Sequence, residues 1–384
     1  MSNKPRILIF IDWYIPAFKA GGPIRSVYNL VTQLSGDFKF YIVTGDRDLG
    51  DVNPYTDLEF DDWTKVEDSK VIYLSKKNQK LKTIKNLIRE VNPQFVYLNS
   101  LFSFNFSLIP LWLKKKFPQI KFILAPRGML GNGALEIKKK KKEVFIGLAR
   151  MIKLYNGIVW HATNDNEKKE IEKVFGKKHH VLIADNIATA PKFSFQTTMK
   201  MKLLDFETKR FLFVSRISRK KNVEKLIQWF IDLSADKKRY KLLVIGTAED
   251  PDYLKELLTL IGDNKQIKLK AAIHPDELAK IYAKAHFFCL PTRHENFGHV
   301  IIEALSYGCP VIISQKTPWR QLKRKNIGWD LPLEKPGKFM SVLKECVDMD
   351  AETYLHMSEA ASMFANDFIY RTEVINAYRK LLTT

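Results

Sequence analysis

The sequence predicts an α/β protein made of two Rossmann-like, doubly wound domains that face a cleft. Short apolar runs alternate with stretches of helical period from end to end, a pattern typical of parallel sheets with crossover helices. The series of apolar runs restarts after a polar, aperiodic stretch at 188–205. The length of 384 residues also exceeds that of one ordinary domain, which is about 150 residues. Such proteins bind ligands at the carboxyl ends of their strands, so we expect the site in the cleft.

The apolar runs give the order of the strands. In the first domain, residues 1–187, they lie at 6–11, 38–43, 70–74, 95–98, 121–124 and 157–160. In the second domain, residues 206–360, they lie at 210–214, 241–245, 266–269, 285–290 and 310–313. We interpret 188–205, which is rich in Thr, Pro, Ser and Gln, as a linker, and 361–384 as a C-terminal helix.

Composition excludes several classes of protein. With 46% hydrophobic and 27% charged residues the chain can form sizeable cores, which excludes wholesale disorder. Cys289, Cys309 and Cys346 form neither a zinc motif nor a disulfide pattern, which suits a reducing compartment. No apolar run approaches the ~18 residues of a membrane-spanning helix, and the N-terminus predicts a strand rather than a signal peptide. We therefore expect a cytoplasmic protein.

The net charge of +21 is unevenly distributed along the chain. Residues 76–153 contain 18 basic and three acidic residues, so this segment alone has a net charge of +15. A surface of this kind favours an anionic partner, which can be nucleic acid, an anionic membrane or a phosphorylated substrate. Composition leaves these three open, and the motifs at the strand ends have to distinguish them.

Two loops at strand ends have residues suited to binding phosphate. Gly21 and Gly22 precede a helix, so the backbone can approach an anion there, although a plain strand-to-helix turn explains the pair equally well. The loop has neither the GxGxxG pattern of dinucleotide-binding proteins nor a P-loop. Arg216 and Lys221 lie between a strand and a helix capped by Asn222, where a planar fork and a point charge can bind phosphate. A solvated basic loop is the alternative interpretation of that pair.

The strongest motif spans residues 291–305 and follows the buried strand at 285–290. Glu295 lies on the loop, and Glu303 lies two turns into an apolar helix, where a carboxylate needs hydroxyl or amide partners. Vicinal ribose hydroxyls would satisfy Glu303, and free N–H groups near Gly298 and His299 would face a diphosphate. The alternative is that the two glutamates are unrelated.

These three elements, in this order, resemble those of a GT-B glycosyltransferase of family 4. The similarity is distributed over nearly the whole chain and includes an E-x7-E motif in the context Glu-Asn-Phe-Gly. The stretches at 126–130 and 314–322 resemble the subset that builds bacterial surface polysaccharides. The resemblance implies retaining transfer of a sugar from a nucleotide-sugar donor to a hydroxyl of a glycan acceptor, which is often lipid-linked. It implies no cofactor and no metal, and the sequence has no His/Cys cluster and no suitably placed DxD motif.

The resemblance also implies roles for individual residues. Arg216 and Lys221 would neutralise the departing diphosphate, and Glu295 would hold hydroxyls of the transferred sugar. The donor-binding residues would be Gly21, Gly22, Asn296, Phe297, Gly298 and Glu303. In this fold the first domain takes the acceptor side, and the terminal helix crosses back onto it.

The chain departs from many relatives at two positions. Ser215 stands where a glycine is common, and Arg127 stands where a histidine is common. We therefore take Arg127 as a catalytic candidate and His161 as its rival, although a histidine at a strand end is more often structural. His294 and His299 flank the strongest motif, but the implied chemistry requires neither.

A lysine run at 138–142 leads into a helix with an apolar stripe, which we expect to pack on the sheet of its own domain. The stripe consists of Val144, Phe145, Leu148, Met151, Ile152 and Tyr155. Basic residues near an anionic leaflet contribute ~1 kcal/mol each. We therefore expect a peripheral, salt-sensitive association with the inner face of the cell membrane, where a lipid-linked acceptor would be met.

Two other functions would fit parts of this pattern. An RNA-binding protein would explain the positive charge, but the sequence contains no RNP-like segment and no other nucleic-acid module, so we expect no nucleic-acid partner. A nucleotide-sugar epimerase of related fold is the closer alternative, because it would use the same donor without an acceptor.

Overall fold

The computed structural model describes residues 4–131, 135, 139–233 and 239–384, and the chain forms two compact units. Unit 1 comprises Met1–Ile187 together with Thr372–Thr384, and unit 2 comprises Ala188–Arg371. Each unit is built on its own largely parallel sheet with helices. The prediction of two Rossmann-like, doubly wound α/β domains is therefore confirmed.

Within the described ranges, unit 1 has an eight-stranded sheet in the order β3-β4-β2-β1-β5-β6-β7-β8. The strands are β1 (Arg6–Ile11), β2 (Lys39–Gly45), β3 (Trp63–Val66), β4 (Ser69–Leu74), β5 (Phe95–Asn99), β6 (Lys121–Ala125), β7 (Val159–Ala162) and β8 (His180–Ile183). β3 is antiparallel to β4, whereas β1 pairs in parallel with both β2 and β5. The winding direction reverses between β1 and β5, and ligands of such sheets bind in the crevice at this point.

Five helices of unit 1 precede unit 2 in the described part of the chain. They are α1 (Gly22–Leu34), α2 (Leu81–Val91), α3 (Ile109–Leu113), α4 (Lys139–Met151) and α5 (Asp165–Phe175). Helix α1 has a proline in its first turn, where the missing N–H costs no hydrogen bond. Val27, Leu30 and Leu34 follow at helical spacing and are buried, so one face of α1 packs on the sheet.

Unit 2 has a six-stranded parallel sheet in the order β11-β10-β9-β12-β13-β14, again counting described residues. Its strands are β9 (Lys209–Val214), β10 (Tyr240–Ile245), β11 (Ile267–Lys270), β12 (Phe287–Leu290), β13 (Val311–Ser314) and β14 (Gly328–Leu331). Its helices are α6 (Phe195–Leu203), α7 (Val223–Leu233), α8 (Pro251–Ile261), α9 (Pro275–Lys284), α10 (His299–Ser306), α11 (Pro336–Asp348) and α12 (Ala351–Ile369). The winding reverses between β9 and β12, so the loops after these two strands meet at one edge.

The structure corrects the linker predicted at 188–205, because this segment contains α6 and belongs to unit 2. Met199 packs in the core, and the fully buried Lys202 donates from Nζ to the carbonyl oxygens of Ala285 and Gly308. Those carbonyls follow the C-terminal ends of α9 and α10, where a positive charge is favourable. The buried face of α6 thus includes a lysine in place of an apolar residue, which conceals the helical period.

The helix predicted at 361–384 is two helices. α12 ends at Ile369, and α13 (Thr372–Leu381) begins after a two-residue break. α13 belongs to unit 1, where Tyr378, Leu381 and Leu382 are buried in the same core cluster as β1 and α1. Apolar spacing runs through both helices, so the sequence pattern alone does not reveal the break.

Candidate functional site

The loop after β9 holds Arg216 at the carboxyl edge of the sheet of unit 2. The Ile217 N–H donates to the carbonyl of Thr247 at 2.8 Å, which fastens this loop to the loop after β10. Gly246 permits the approach, because a Cβ there would lie 1.8 Å from the Ser215 carbonyl oxygen. The Arg216 guanidinium is exposed and forms an ion pair with Glu249. The planar guanidinium group of Arg216 is thus accessible to solvent at the carboxyl end of β9.

Lys221 ends a short helical turn on the same loop and is almost fully buried. Asn222 follows with a φ of +59°, a conformation that asparagine tolerates, and α7 begins directly after it. The Lys221 ammonium donates to Glu295 Oε2 at 2.6 Å. Two residues that the sequence predicts as site residues, 74 positions apart, are therefore in direct contact.

The loop after β12 is fixed by hydrogen bonds to its two neighbours. The Arg293 N–H donates to the Lys220 carbonyl at 2.8 Å, and the Glu295 N–H donates to the Lys316 carbonyl at 2.9 Å. The Thr292 hydroxyl donates to the His294 carbonyl at 2.9 Å and closes the turn. Backbone contacts therefore set the position of the Glu295 side chain.

The electrostatics of this loop favour an ionised Glu295. Burial raises the pKa of Glu295. The Lys221 ammonium and the nearby Lys220 together lower this pKa by more than burial raises it, so that the pKa lies below the ordinary value. The Asn296 N–H also donates to Glu295 Oε1 at 3.1 Å. Burial lowers the pKa of His294, and Lys220 adds to this effect, so the imidazole is neutral at physiological pH.

Gly298 and Glu303 lie on the helix that follows this loop. Gly298 is the N-cap of α10 with a φ of +80°, and a Cβ there would lie 2.8 Å from Ile301 Cδ1. The positive φ therefore explains the glycine at this position, and a Cβ would in addition force the Ile301 side chain to move. Glu303 is half-buried, and its Oε2 accepts from the Tyr282 hydroxyl at 3.5 Å. The Phe297 carbonyl accepts from the Trp319 indole N–H at 2.5 Å, which anchors the start of the helix.

In unit 1, the glycine pair lies between β1 and α1. Gly21 is the N-cap of α1 with a φ of +70°, so its backbone conformation explains the glycine. The Gly21 N–H donates to the Phe18 carbonyl at 3.1 Å and thus closes a turn. Gly22 is the first residue of α1. The structure places this pair at a helix N-terminus, as the sequence predicts, although the Gly21 N–H is already in use.

Arg127 lies in a buried polar network of unit 1. Its guanidinium donates to Asn186 Oδ1 at 2.7 Å, to the Tyr97 hydroxyl oxygen at 3.0 Å and to Asn99 Oδ1 at 3.0 Å. The φ of Arg127 is +54°, a left-handed conformation held by this network. The guanidinium therefore has three acceptors within its own unit.

His161 continues the same network. Its Nε2–H donates to the Ala184 carbonyl at 2.8 Å, so Nδ1 accepts from the Tyr97 hydroxyl at 2.6 Å. Burial and the Arg127 charge lower the pKa of His161 to about 3. Both ring nitrogens are thus satisfied and the ring stays neutral, which matches the structural role expected for a histidine at a strand end.

Sequence reasoning did not single out Asp12, which directly follows β1. Its Oδ1 accepts from the Ser103 hydroxyl at 2.7 Å, and burial raises its pKa above the ordinary value. Asp12 and the segment after β5 flank the crevice where the winding of the sheet reverses. The signal in the sequence is the position of this carboxylate at the carboxyl end of the first apolar run.

Residues 195–361, which lie in unit 2, match the family model described as "Glycosyl transferases group 1". Among curated relatives, an uncharacterized glycosyltransferase of Methanocaldococcus jannaschii is 28% identical over 129 residues, 34% of this chain and 32% of the relative. The alpha-monoglucosyldiacylglycerol synthase of Streptococcus pneumoniae is 32% identical over 113 residues, 29% of this chain and 25% of the relative. The Staphylococcus aureus capsular polysaccharide biosynthesis glycosyltransferase CapM is 33% identical over 107 residues, 27% of each chain. The chain matches only about a quarter to a half of the length of its curated relatives.

Solved structures match over nearly the whole chain. Sucrose-phosphate synthase from Thermosynechococcus elongatus superposes with a TM-score of 0.72 and 16% identity, covering 98% of this chain and 99% of the other. Anabaena HepE in complex with UDP-glucose gives a TM-score of 0.72 and 13% identity, covering 99% and 100%. At these identities the likeness shows the fold, and the chain therefore has the GT-B fold.

Proposed function

We propose that this protein is a retaining glycosyltransferase that moves a sugar from a nucleotide-sugar donor to a hydroxyl of a glycan acceptor. The observation that carries the proposal is the contact of Lys221 with Glu295 at the switch point of unit 2. This contact brings together, at the carboxyl edge of the sheet, a cation that can bind a leaving phosphate and a carboxylate that can accept hydrogen bonds from sugar hydroxyls. The match of residues 195–361 to a glycosyltransferase family supports the same function.

The proposed chemistry is electrostatic stabilisation of the leaving nucleoside diphosphate. Arg216 offers a planar fork from the exposed side of its loop, and Lys221 offers a point charge from the buried side. The N-terminus of α10 adds backbone N–H groups beyond Gly298, and the N-terminus of α1 is a second candidate. Such preorganised charges stabilise the transition state when they face the charge that develops there.

The two glutamates would bind the hydroxyl groups of the donor. Glu295 is held ionised by Lys221, and an ionised carboxylate can only accept hydrogen bonds, which suits the hydroxyls of the transferred sugar. Glu303 would accept from the ribose hydroxyls, beside Tyr282. Arg127 stays a proposed donor-side residue. Its three hydrogen bonds within unit 1 fit a positioning role at least as well as direct catalysis.

We propose that the reaction needs no metal and no cofactor. In the described ranges, no group of three or more His, Cys, Asp or Glu side chains could hold a metal ion. The two cations at the switch point would supply the charge that a metal supplies elsewhere. Turnover in excess EDTA is the direct test, and complete loss of activity would contradict this part of the proposal.

The acceptor we propose is a lipid-linked glycan of cell-envelope polysaccharide biosynthesis. Curated relatives include a glycolipid synthase and a capsular polysaccharide glycosyltransferase, which supports this class of acceptor. The protein would then act in the cytoplasm as a peripheral protein at the inner face of the cell membrane. The basic segment 76–153 would contact anionic lipids, and nucleic acid would not be a partner.

A panel of UDP- and GDP-sugars tests the donor, read first by thermal shift and then by product analysis. A donor that raises the melting temperature and is hydrolysed or transferred with retention supports the proposal. Free isomerised donor as the product would instead indicate an epimerase. Stabilisation by none of the nucleotide sugars would contradict the proposed function.

A further inference from the structure

Helix α4 exposes an apolar surface instead of burying it. Ile146 and Ala149 are its buried residues, whereas the side chains of Val144, Leu148, Met151 and Ile152 are 53–71% exposed. The sequence-based expectation that the whole stripe packs on the sheet is therefore wrong for these four. Tyr155 is buried in the core, and the partly buried Phe145 packs against it. We call the four exposed residues the apolar ridge.

The ridge lies on one side of the helix. Val144, Leu148 and Met151 are separated by four and three residues, so they share one face, and Ile152 lies next to Leu148 at the end of the helix. Single exposed apolar residues are ordinary on protein surfaces, but three large ones on one helix face, with a fourth directly after the helix, indicate an interaction surface.

Basic residues surround the apolar ridge at both of its ends. Lys139, Lys140 and Lys141 are exposed at the start of α4, and Arg150 and Lys153 are exposed at its end. Lys138, the first residue of the predicted lysine run, lies outside the described residues. In the described part of this helix the sole acidic side chain is Glu143, and its Oε1 lies 4.0 Å from Lys139 Nζ.

A second basic group joins the C-terminal end of α4. The Lys114 ammonium donates to the Leu154 carbonyl at 3.2 Å, so the lysine turn at 114–116 lies beside that end. The charges of Arg89 and Lys116 lower the pKa of Lys85, so both cations lie near Lys85. The positive surface therefore continues from α4 across the lysine turn to α2.

We propose that the apolar ridge inserts into the surface of an anionic bilayer while the flanking lysines and arginines bind lipid phosphates. A helix with an apolar face and basic flanking residues lies in the plane of the membrane–water interface, and its long cationic side chains reach the lipid headgroups. None of the described helices could cross a membrane, so α4 would rest on it. The proposal refines the peripheral contact proposed above by adding apolar insertion, and it does not depend on the donor chemistry.

Charge complementarity selects the bilayer over a second copy of the chain. A two-fold contact through the ridge would place the lysines of one α4 against those of the other, which is unfavourable. An anionic leaflet offers negative charge and an apolar layer together. Self-association through α4 is an outcome that the experiment below can detect.

The test uses the full chain and vesicles of phosphatidylcholine, with and without about one third phosphatidylglycerol. L148S/M151S removes apolar area without changing the charge, and L204S/M363S is its matched control at exposed apolar residues of unit 2. We expect wild type and control to bind the anionic vesicles and L148S/M151S to bind about tenfold or more weakly. Equal binding of L148S/M151S and wild type would overturn apolar insertion.

A fluorescent label separates insertion from attraction by charge alone. The three native cysteines are buried, so an environment-sensitive dye can be attached at L148C or, as a control, at M363C. We expect a blue shift at position 148 with anionic vesicles and none at position 363. No shift at 148, or a shift that depends on protein concentration without lipid, would overturn the proposal. Donor processing without any vesicle binding would leave the proposed function standing while this inference fails.

Discussion

Lys221 and Glu295 form an ion pair with 2.6 Å between Nζ and Oε2, and their side chains are only 8% and 18% exposed. The pair links the loop after β9 to the loop after β12, across the point where the sheet of unit 2 reverses its winding. Each charge is thereby compensated, although both side chains are largely removed from water. The same contact fixes the position of the proposed phosphate-binding cation, Lys221, relative to the proposed hydroxyl-binding carboxylate, Glu295.

Breaking this pair on one side should destabilise unit 2. Lys221→Met leaves the Glu295 carboxylate buried without its cation, and such changes cost about 3–5 kcal/mol. The double variant Lys221→Met/Glu295→Gln removes both charges and should recover most of that loss. Thermal and urea unfolding of the wild type and the variants measure the effect. A double variant no more stable than Lys221→Met would contradict a role for the pair in stability.

The pair also predicts how stability depends on pH. Because the pKa of Glu295 is lower in the folded protein than its ordinary value of 4.5, the ionised form stabilises the fold. This contribution is complete above the ordinary pKa and is lost as the pH falls through the lowered one. The difference in melting temperature between wild type and Glu295→Gln should therefore shrink with acidification from neutral pH to about pH 3. A difference that is constant over this range would exclude the linkage.

Arg216 and Arg219 offer a matched comparison on one loop. Both are exposed and each pairs with a glutamate, Glu249 and Glu256 respectively. Surface ion pairs contribute little to stability, so neither alanine variant should shift the melting temperature measurably. Arg216→Ala should lower turnover of the identified donor about 100-fold or more, because a donor to the developing charge is lost. Arg219→Ala should retain normal turnover, and equal losses in the two would indicate a general effect of loop charge.

Glu303→Ala should weaken nucleotide binding. Hydrogen bonds to a charged group contribute about 1.5–3 kcal/mol, which corresponds to a rise of roughly 10- to 100-fold in Kd. Isothermal titration with the nucleoside diphosphate of the identified donor measures this change. Tyr282→Phe is the control, since it removes the hydroxyl that donates to Glu303 while leaving the carboxylate. An unchanged Kd in Glu303→Ala would remove Glu303 from the proposed ribose site.

The sequence predicts the central strands better than the edges of the sheets. The predicted strands correspond to β1, β2, β4–β7 and β9–β13, whereas β3, β8 and β14 were not predicted. These three are edge strands of their sheets. β3 and β8 are only partly buried, so they lack the continuous apolar run that marks a central strand.

In the candidate site, the sequence likewise predicts which loop each residue lies on, but it does not predict which side chains contact each other. The positions of Gly298 and Lys221 at strand ends follow from the order of apolar runs. The contact of Lys221 with Glu295 depends on side-chain directions across two loops, which spacing does not determine. In α4, apolar residues lie on both sides of the helix. The helical spacing of apolar residues in the sequence therefore does not distinguish the buried side from the apolar ridge.

Helix α13 gives the molecule an unusual order of completion during synthesis. Unit 2 is one continuous segment, Ala188–Arg371, and can fold as soon as that segment has left the ribosome. Unit 1 begins first but stays without Tyr378 and the rest of α13 until residues 372–384 emerge. Unit 1 is thus the last of the two units to complete its core, and any fragment that ends within unit 2 lacks the α13 residues that pack against β1 and α1.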